Sequence, residues 1–374
     1  MRHEPAYNRR RPTCRPAPSN PRPQEPLLDV GIFMEFPRPK GATDAQVFDR
    51  AFKIIDLAES SGLHSVWLAE LHFEPEQSVL SSPVVVAAAA ASRTQRLRIG
   101  LAVAVLPLYN PLRLAEDVAT LDHIAGGRID FGVGRSAAPR GYIGMNIPYA
   151  ESRQRFSECL QVIQKAWTHD TFSHHGQFYH YDDVRVVPRP FQQPHPPIRI
   201  ATNSPGTYLF SGKAGIPIFL SVRGVRSQLV EHVASYCEAW ESAGHPGKPH
   251  LSLRIPVYVH EDRRRALEDP KASAMNFYRQ LIETVGTPIP SLSDEENRER
   301  AERGQRLRSI TYDDILKTDL AYGTPDEVTE KLLELKETFN LSCVIAEPNF
   351  GRLIPQDKEL ASLQLFAEKV APKL

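Results

Sequence analysis

A few histidines, arginines and hydroxyl residues stand where this 374-residue chain could do chemistry. His72 lies two positions after Glu70 and beside Phe73. A histidine so placed can act as general acid, as hydrogen-bond donor to a cofactor, or as a satisfied structural residue. Asn203-Ser204-Pro205-Gly206-Thr207 runs from an apolar stretch into a helical one. Hydroxyls and free amide N–H groups at a helix start favour an anion, and Ser204 would serve equally as a plain N-cap. Arg135 and Arg153 supply cations that, joined to such a helix start, suggest a bound phosphate. His174, His175 and His180 sit in a polar stretch without a recognised ligand spacing, so no metal is expected. Neither GxSxG nor a P-loop occurs.

The elements that must hold these groups follow from composition and periodicity. Hydrophobic residues make up 41% of the chain and charged residues 24%, a globular balance. Forty-five basic residues meet forty-five acidic ones, and a net charge of zero argues against nucleic acid as the main partner. Four scattered cysteines without a CxxC pair suggest reduced thiols in a cytoplasmic protein. The longest apolar run, 84–91, is too short to span a bilayer. No apolar stretch follows Arg9, Arg10 and Arg11 to make a signal. Residues 1–26 hold seven prolines and six arginines and read as a disordered tail.

From residue 27 strands alternate with helices. Strands are expected at 28–34, 64–70, 97–106, 128–134, 197–202, 216–221, 251–259 and 341–347, each short and apolar. Capping boxes open helices at Thr43 and Thr324, the latter with Pro325 at N1. Gly62 ends the first helix where a left-handed cap is expected. A helix over 80–93 is rich in alanine, and others are expected near 112–125, 156–167, after Ser204, and over 227–243 and 356–370. The polar stretch 169–196 interrupts the rhythm, and 261–320 is charged and helical without a strand of its own. Eight such units predict an α/β fold, a (β/α)₈ TIM barrel with an insertion after strand seven. An open doubly wound sheet would carry a glycine-rich first turn, which is absent. In such a barrel the active site lies at the C-terminal strand ends. Small residues there after strands three and four leave room for a flat ligand.

From 28 to about 372 the chain resembles the bacterial luciferase-like FMN-dependent monooxygenases. The likeness rests on WLAELHF (67–73), on GLAVAVLPLYNPLRLAEDVATLDHIAGGRIDFGVGR (100–135), on VRVVPRPFQQPHPPIRIATNSPGT (184–207) and on YGTPDEVTEKLLELKETFNLSCVIAEPNFG (322–351). It implies reduced FMN, supplied by a separate flavin reductase, that reacts with O₂ through a C4a-peroxyflavin and oxygenates a small organic substrate. Carried over residue by residue, Arg135, Arg153, Ser204 and Thr207 match the family's phosphate contacts. Gly206 lies in the same turn, and Asn203 stands where luciferase has a glutamate. Ala102-Val103 match a non-proline cis peptide beneath the flavin ring, and Gly134 replaces luciferase's reactive cysteine. His72 is the remaining catalytic candidate, because the family's Glu-His-His-Phe reads Glu70-Leu71-His72-Phe73. A leucine cannot transfer a proton, which counts against luciferase-type aldehyde chemistry with light emission. Two other readings are a deazaflavin-dependent hydride-transfer oxidoreductase and a non-catalytic partner subunit. The resemblance also implies a homodimer, while the charge balance and the short apolar runs leave neither nucleic acid nor membrane as an expected partner. The substrate is expected to be apolar in part, and the 261–320 insertion is a candidate lid.

Overall fold

The computed structural model describes residues 28–136, 138–202, 204–221 and 226–374, so the 1–26 tail and Asn203 fall outside the described residues. Eight parallel strands close a barrel: β1 (Asp29–Met34), β2 (Ser65–Leu68), β3 (Arg98–Leu101), β4 (Ile129–Gly134), β5 (Ile198–Ala201), β6 (Ile218–Ser221), β7 (Leu251–Val259) and β8 (Cys343–Glu347). Closure is explicit in the register, where Gly31 of β1 faces Ser65 of β2 on one side and Ile345 of β8 on the other. The strands are mainly apolar and largely buried on both faces, as parallel strands covered by helices must be, with Arg98, Asp130, Arg199 and Arg254 among the charged exceptions.

The covering helices are α1 (Asp44–Ser60), α2 (Pro83–Arg93), α3 (Pro111–Ile124), α4 (Ser152–Thr168), α5 (Pro205–Ala214), α6 (Arg226–Ser242), α7 (Pro325–Phe339) and α8 (Gln356–Lys369). Thr43 and Thr324 form the expected capping boxes, and Gly62 follows α1 at φ +75°. α2 starts at Pro83 rather than residue 80, since a proline suits the first helical turn. No helix among the described residues is long and apolar enough to cross a membrane.

Three elements differ from expectation. The apolar run 97–106 is not one strand. β3 stops at Leu101, a cis Ala102–Val103 peptide follows, and Ala104–Val105 resumes pairing with β4. Hydrophobic periodicity is blind to the peptide dihedral. The polar stretch contains an antiparallel hairpin of Phe172–His175 with His180–Val184. Its tip is held by Glu158, which accepts from the backbone N–H groups of Gln177, Phe178 and Tyr179. Glu158 also pairs with His174 at 3.2 Å. The insertion folds as four helices (Arg263–Glu268, Lys271–Gly286, Asp294–Leu307, Tyr312–Thr318), and the chain returns as a short strand, Ala321–Gly323, beside the end of β7.

The barrel interior is layered. In the middle, Trp67 and Phe219 meet edge to face, 4.8 Å between centroids. The indole occupies the space that Gly100 leaves open, where a Cβ would come within 2.0 Å of the ring. At the strand starts, Asp130 accepts from Arg98 and Arg199. Arg199 also donates to Ser252 and to His250 Nδ1.

Burial, aided by the Arg199 charge and opposed by Asp130, pulls His250 down to a pKa of about 4. The unfolded chain therefore binds the extra proton more readily than the folded one. Stability from neutral His250 is complete above about pH 6.5 and declines as pH falls toward 4, by up to about 3 kcal/mol. His250→Gln keeps an acceptor for Arg199 and should flatten this loss. Urea unfolding at pH 7 and pH 4.5 checks it, and equal losses for both proteins would refute the assignment.

Candidate active site at the barrel mouth

Above the aromatic layer the strand ends carry small side chains, and a cavity opens. Its lining includes Ala102, Val103, Ala201, Thr202 and Ser221, with Phe33, Phe219 and Ile345 as walls and Arg254 reaching in from β7. Gly134 belongs to this layer by contact: a Cβ there would lie 2.5 Å from Val103 Cγ2. The glycine thus lets the Ala102–Val103 bend seat against β4. Thr202 donates its hydroxyl to the Phe219 carbonyl at 2.8 Å, tying β5 to β6.

The expected phosphate residues fall in two groups just past the ends of β4 and β5. Arg135 follows β4 and donates to Ser152 Oγ at 3.3 Å, which brings it beside Arg153 at the start of α4. Arg153 is exposed. The Tyr142 hydroxyl donates to the Arg135 carbonyl and fixes the backbone there. Ser204 is the N-cap of α5, but its hydroxyl does not cap the helix and instead meets Thr207 Oγ1 at 2.9 Å. Gly206 faces open space. The Thr207 N–H donates to the Ser204 carbonyl at 2.9 Å and Pro205 has none to give, so the two hydroxyls and the Gly206 amide form the polar ledge.

His72 sits elsewhere on the mouth. It lines a separate narrow crevice with Glu70, Leu71, Ser136 and Gly141, and shares no wall with the larger cavity. Its Nε2 lies 2.8 Å from Glu70 Oε1. The Glu70 side chain is fully buried and also accepts from Tyr109 OH at 2.7 Å and from Val105 N at 3.1 Å. Burial and the Glu70 charge push the Tyr109 phenol far up, so it remains a donor. Glu70 thus fixes the chain just past the cis peptide and orients the His72 ring, whose Nε2 faces the carboxylate. Phe73 and Ser136, on the loops flanking this crevice, both adopt positive φ (62° and 55°).

Two polar groups at the mouth are absent from the expected set. Arg254 makes a bidentate pair with buried Glu347, 2.9 and 2.7 Å, and its guanidinium lies 3.3 Å from the Phe33 centroid. The available signal was a charged residue inside LSLRIPVYV, an otherwise apolar strand. Arg352 pairs with Glu35 after β1 and donates to Gln280 of the insertion at 2.6 Å. Ser273 and Asn276 bond to Phe350 and Gly351 carbonyls from the same helix, Lys271–Gly286. That part of the insertion is a fixed wall. The next helix, Asp294–Leu307, packs against it, with Arg300 donating to the Thr284 carbonyl at 2.9 Å, and Ser291 just before it accepts from the Ala150 amide at 3.4 Å.

A (β/α)₈ barrel with a cis peptide at its mouth and a hydroxyl-bearing ledge beside it is the class of scaffold seen here. The luciferase-like monooxygenase family profile matches residues 28–340. The chain belongs to that family. The oxygenase component of a flavin-dependent trigonelline monooxygenase from Acinetobacter baylyi is 29% identical over 63% of this chain and 65% of its own. An F420-dependent glucose-6-phosphate dehydrogenase from Kineococcus radiotolerans is 30% identical over 57% of this chain and 65% of its own. The chain thus spans somewhat less than two thirds of those two relatives. The monooxygenase RslO1 from Streptomyces bottropensis superposes with a TM-score of 0.74 at 26% identity, covering 92% of this chain and 99% of that one.

Proposed function

We propose that the protein is the oxygenase component of a two-component FMN monooxygenase, acting on a small organic substrate with reduced FMN delivered by a separate reductase. The observation that carries this reading is the cavity at the strand ends lined by the cis Ala102–Val103 peptide, with Arg135 following β4 and the Ser204–Thr207 hydroxyl pair opening α5 after β5. Reduced FMN, when bound, supplies activation of O₂, one atom of which enters the substrate while the other leaves as water.

The chain's own groups hold, flatten and shield. Arg135 and Arg153 neutralise the phosphate, and Ser204, Thr207 and the Gly206 amide donate to it at the start of α5. Ala102, Val103 and Gly134 offer a floor without bulky or charged atoms, on which a ring system can lie. Asn203 precedes this ledge in sequence and is proposed to share in it. Phe33, Phe219 and Ile345 keep water from the reacting face. His72, oriented by Glu70, is proposed to hold a proton at the edge of the mouth. The helix Asp294–Leu307, which packs on Lys271–Gly286, is proposed as the part of the insertion that acts as lid. We place the enzyme in the cytoplasm as a homodimer.

A deazaflavin is the alternative that the dehydrogenase relative favours. Side-by-side fluorescence titration with FMN and with the deazaflavin F420 separates the two. FMN is expected to bind at least ten-fold more tightly, and the reverse order would replace this reading by hydride transfer.

A further inference from the structure

Arg254 is the one charged group among the described residues that line the cavity, and its partners are unusually arranged. Arg254 Nε and Nη2 are both taken by Glu347, at 2.9 and 2.7 Å. Nη1 has no hydrogen-bond partner among the described residues, although the side chain is only 22% exposed and lines the cavity. The guanidinium plane rests on the Phe33 ring, which prevents it from swinging away. Ser221 stands opposite Arg254 in the β6–β7 register and lines the same cavity, so a hydroxyl accompanies the free N–H.

We propose that Arg254 Nη1 is a recognition donor for a neutral carbonyl oxygen held in this cavity, in an otherwise apolar molecule. The charge count selects neutral over anionic. Among the described residues Glu347 already balances Arg254, so a carboxylate placed here would leave one uncompensated negative charge among Phe33, Val103, Phe219 and Ile345, at a desolvation cost of several kcal/mol. A ketone or amide oxygen adds no charge and pairs with a donor that no described protein group takes. Two molecules would bring such an oxygen to the cavity, the organic substrate and the flavin ring. The proposal rests on the flavin reading only for the second of these.

Acetophenone and benzoate are matched probes, alike in shape and differing in charge. Their affinities for the full-length protein are measured by calorimetry, and those of FMN and riboflavin by fluorescence. Each is repeated with the double variant Arg254→Met/Glu347→Gln, which strands no buried charge, and with Arg254→Lys should the double variant fail to fold. The wild type is expected to prefer acetophenone to benzoate. A loss of about ten-fold in acetophenone affinity with FMN unchanged assigns the contact to the substrate. A similar loss for FMN and riboflavin together, with acetophenone unchanged, assigns it to the flavin ring. Tighter binding of benzoate, or variants that bind all four probes like the wild type, would overturn the proposal. A wild type that binds acetophenone through Arg254 but no FMN would defeat the flavin reading and leave this one standing.

Discussion

Glu70→Ala is expected to destabilise the protein by about 2–5 kcal/mol, because two buried donors lose their acceptor at once. The Val105 amide and the Tyr109 hydroxyl both point at Glu70 Oε2, and the side chain has no access to water. Val105 lies two residues past the cis peptide, so the loss falls on the segment that floors the cavity. Glu70→Gln retains one oxygen acceptor and should cost about half as much. His72→Ala leaves both other donors satisfied and should cost less still. Urea unfolding of the three variants measures the order. A Glu70→Ala protein within 1 kcal/mol of the wild type would show that this carboxylate does not hold the mouth.

The second large effect is on cofactor binding. Arg135→Ala/Arg153→Ala should weaken FMN binding about hundred-fold or more, since each charge-assisted contact is worth roughly 1.5–3 kcal/mol. Riboflavin, which lacks the phosphate, should bind the variant and the wild type alike. Ser204→Ala/Thr207→Ala should produce a smaller loss of the same kind, about ten-fold, because these hydroxyls are neutral donors. Parallel titrations with FMN and riboflavin separate phosphate recognition from general damage to the fold. Equal weakening of both ligands would mean that the arginines support the barrel rather than the phosphate.

The barrel was legible because its signals are local. Capping boxes at Thr43 and Thr324, apolar strands and eight repeats each follow from short-range patterning, and the structure contains them. The rim was legible for a related reason: residues just after strands must lie at one end of such a barrel, so Arg135, Ser204 and Thr207 could be placed without coordinates. The bend at Ala102–Val103 was reached through family resemblance, because an apolar run reads as continuous strand whatever its peptide geometry. Long-range pairs were not legible. Arg254 and Glu347 are 93 positions apart, and Arg352 and Glu35 are 317 apart. Only barrel closure, which sets β8 between β1 and β7, brings each pair together. His72 shows the converse limit. Its place after β2 put it at the mouth, but the partner that turns it toward a separate crevice is Glu70, two residues away.

The central claim is that this mouth holds reduced FMN and protects its reaction with O₂. Rapid mixing of the protein and pre-reduced FMN with oxygenated buffer, followed by flavin absorbance, tests it most directly. The account predicts that absorbance of oxidised flavin returns through a slow phase that depends on the protein and is lost in Arg135→Ala/Arg153→Ala. Return at the rate of free FMN, with acetophenone present or absent, would contradict it.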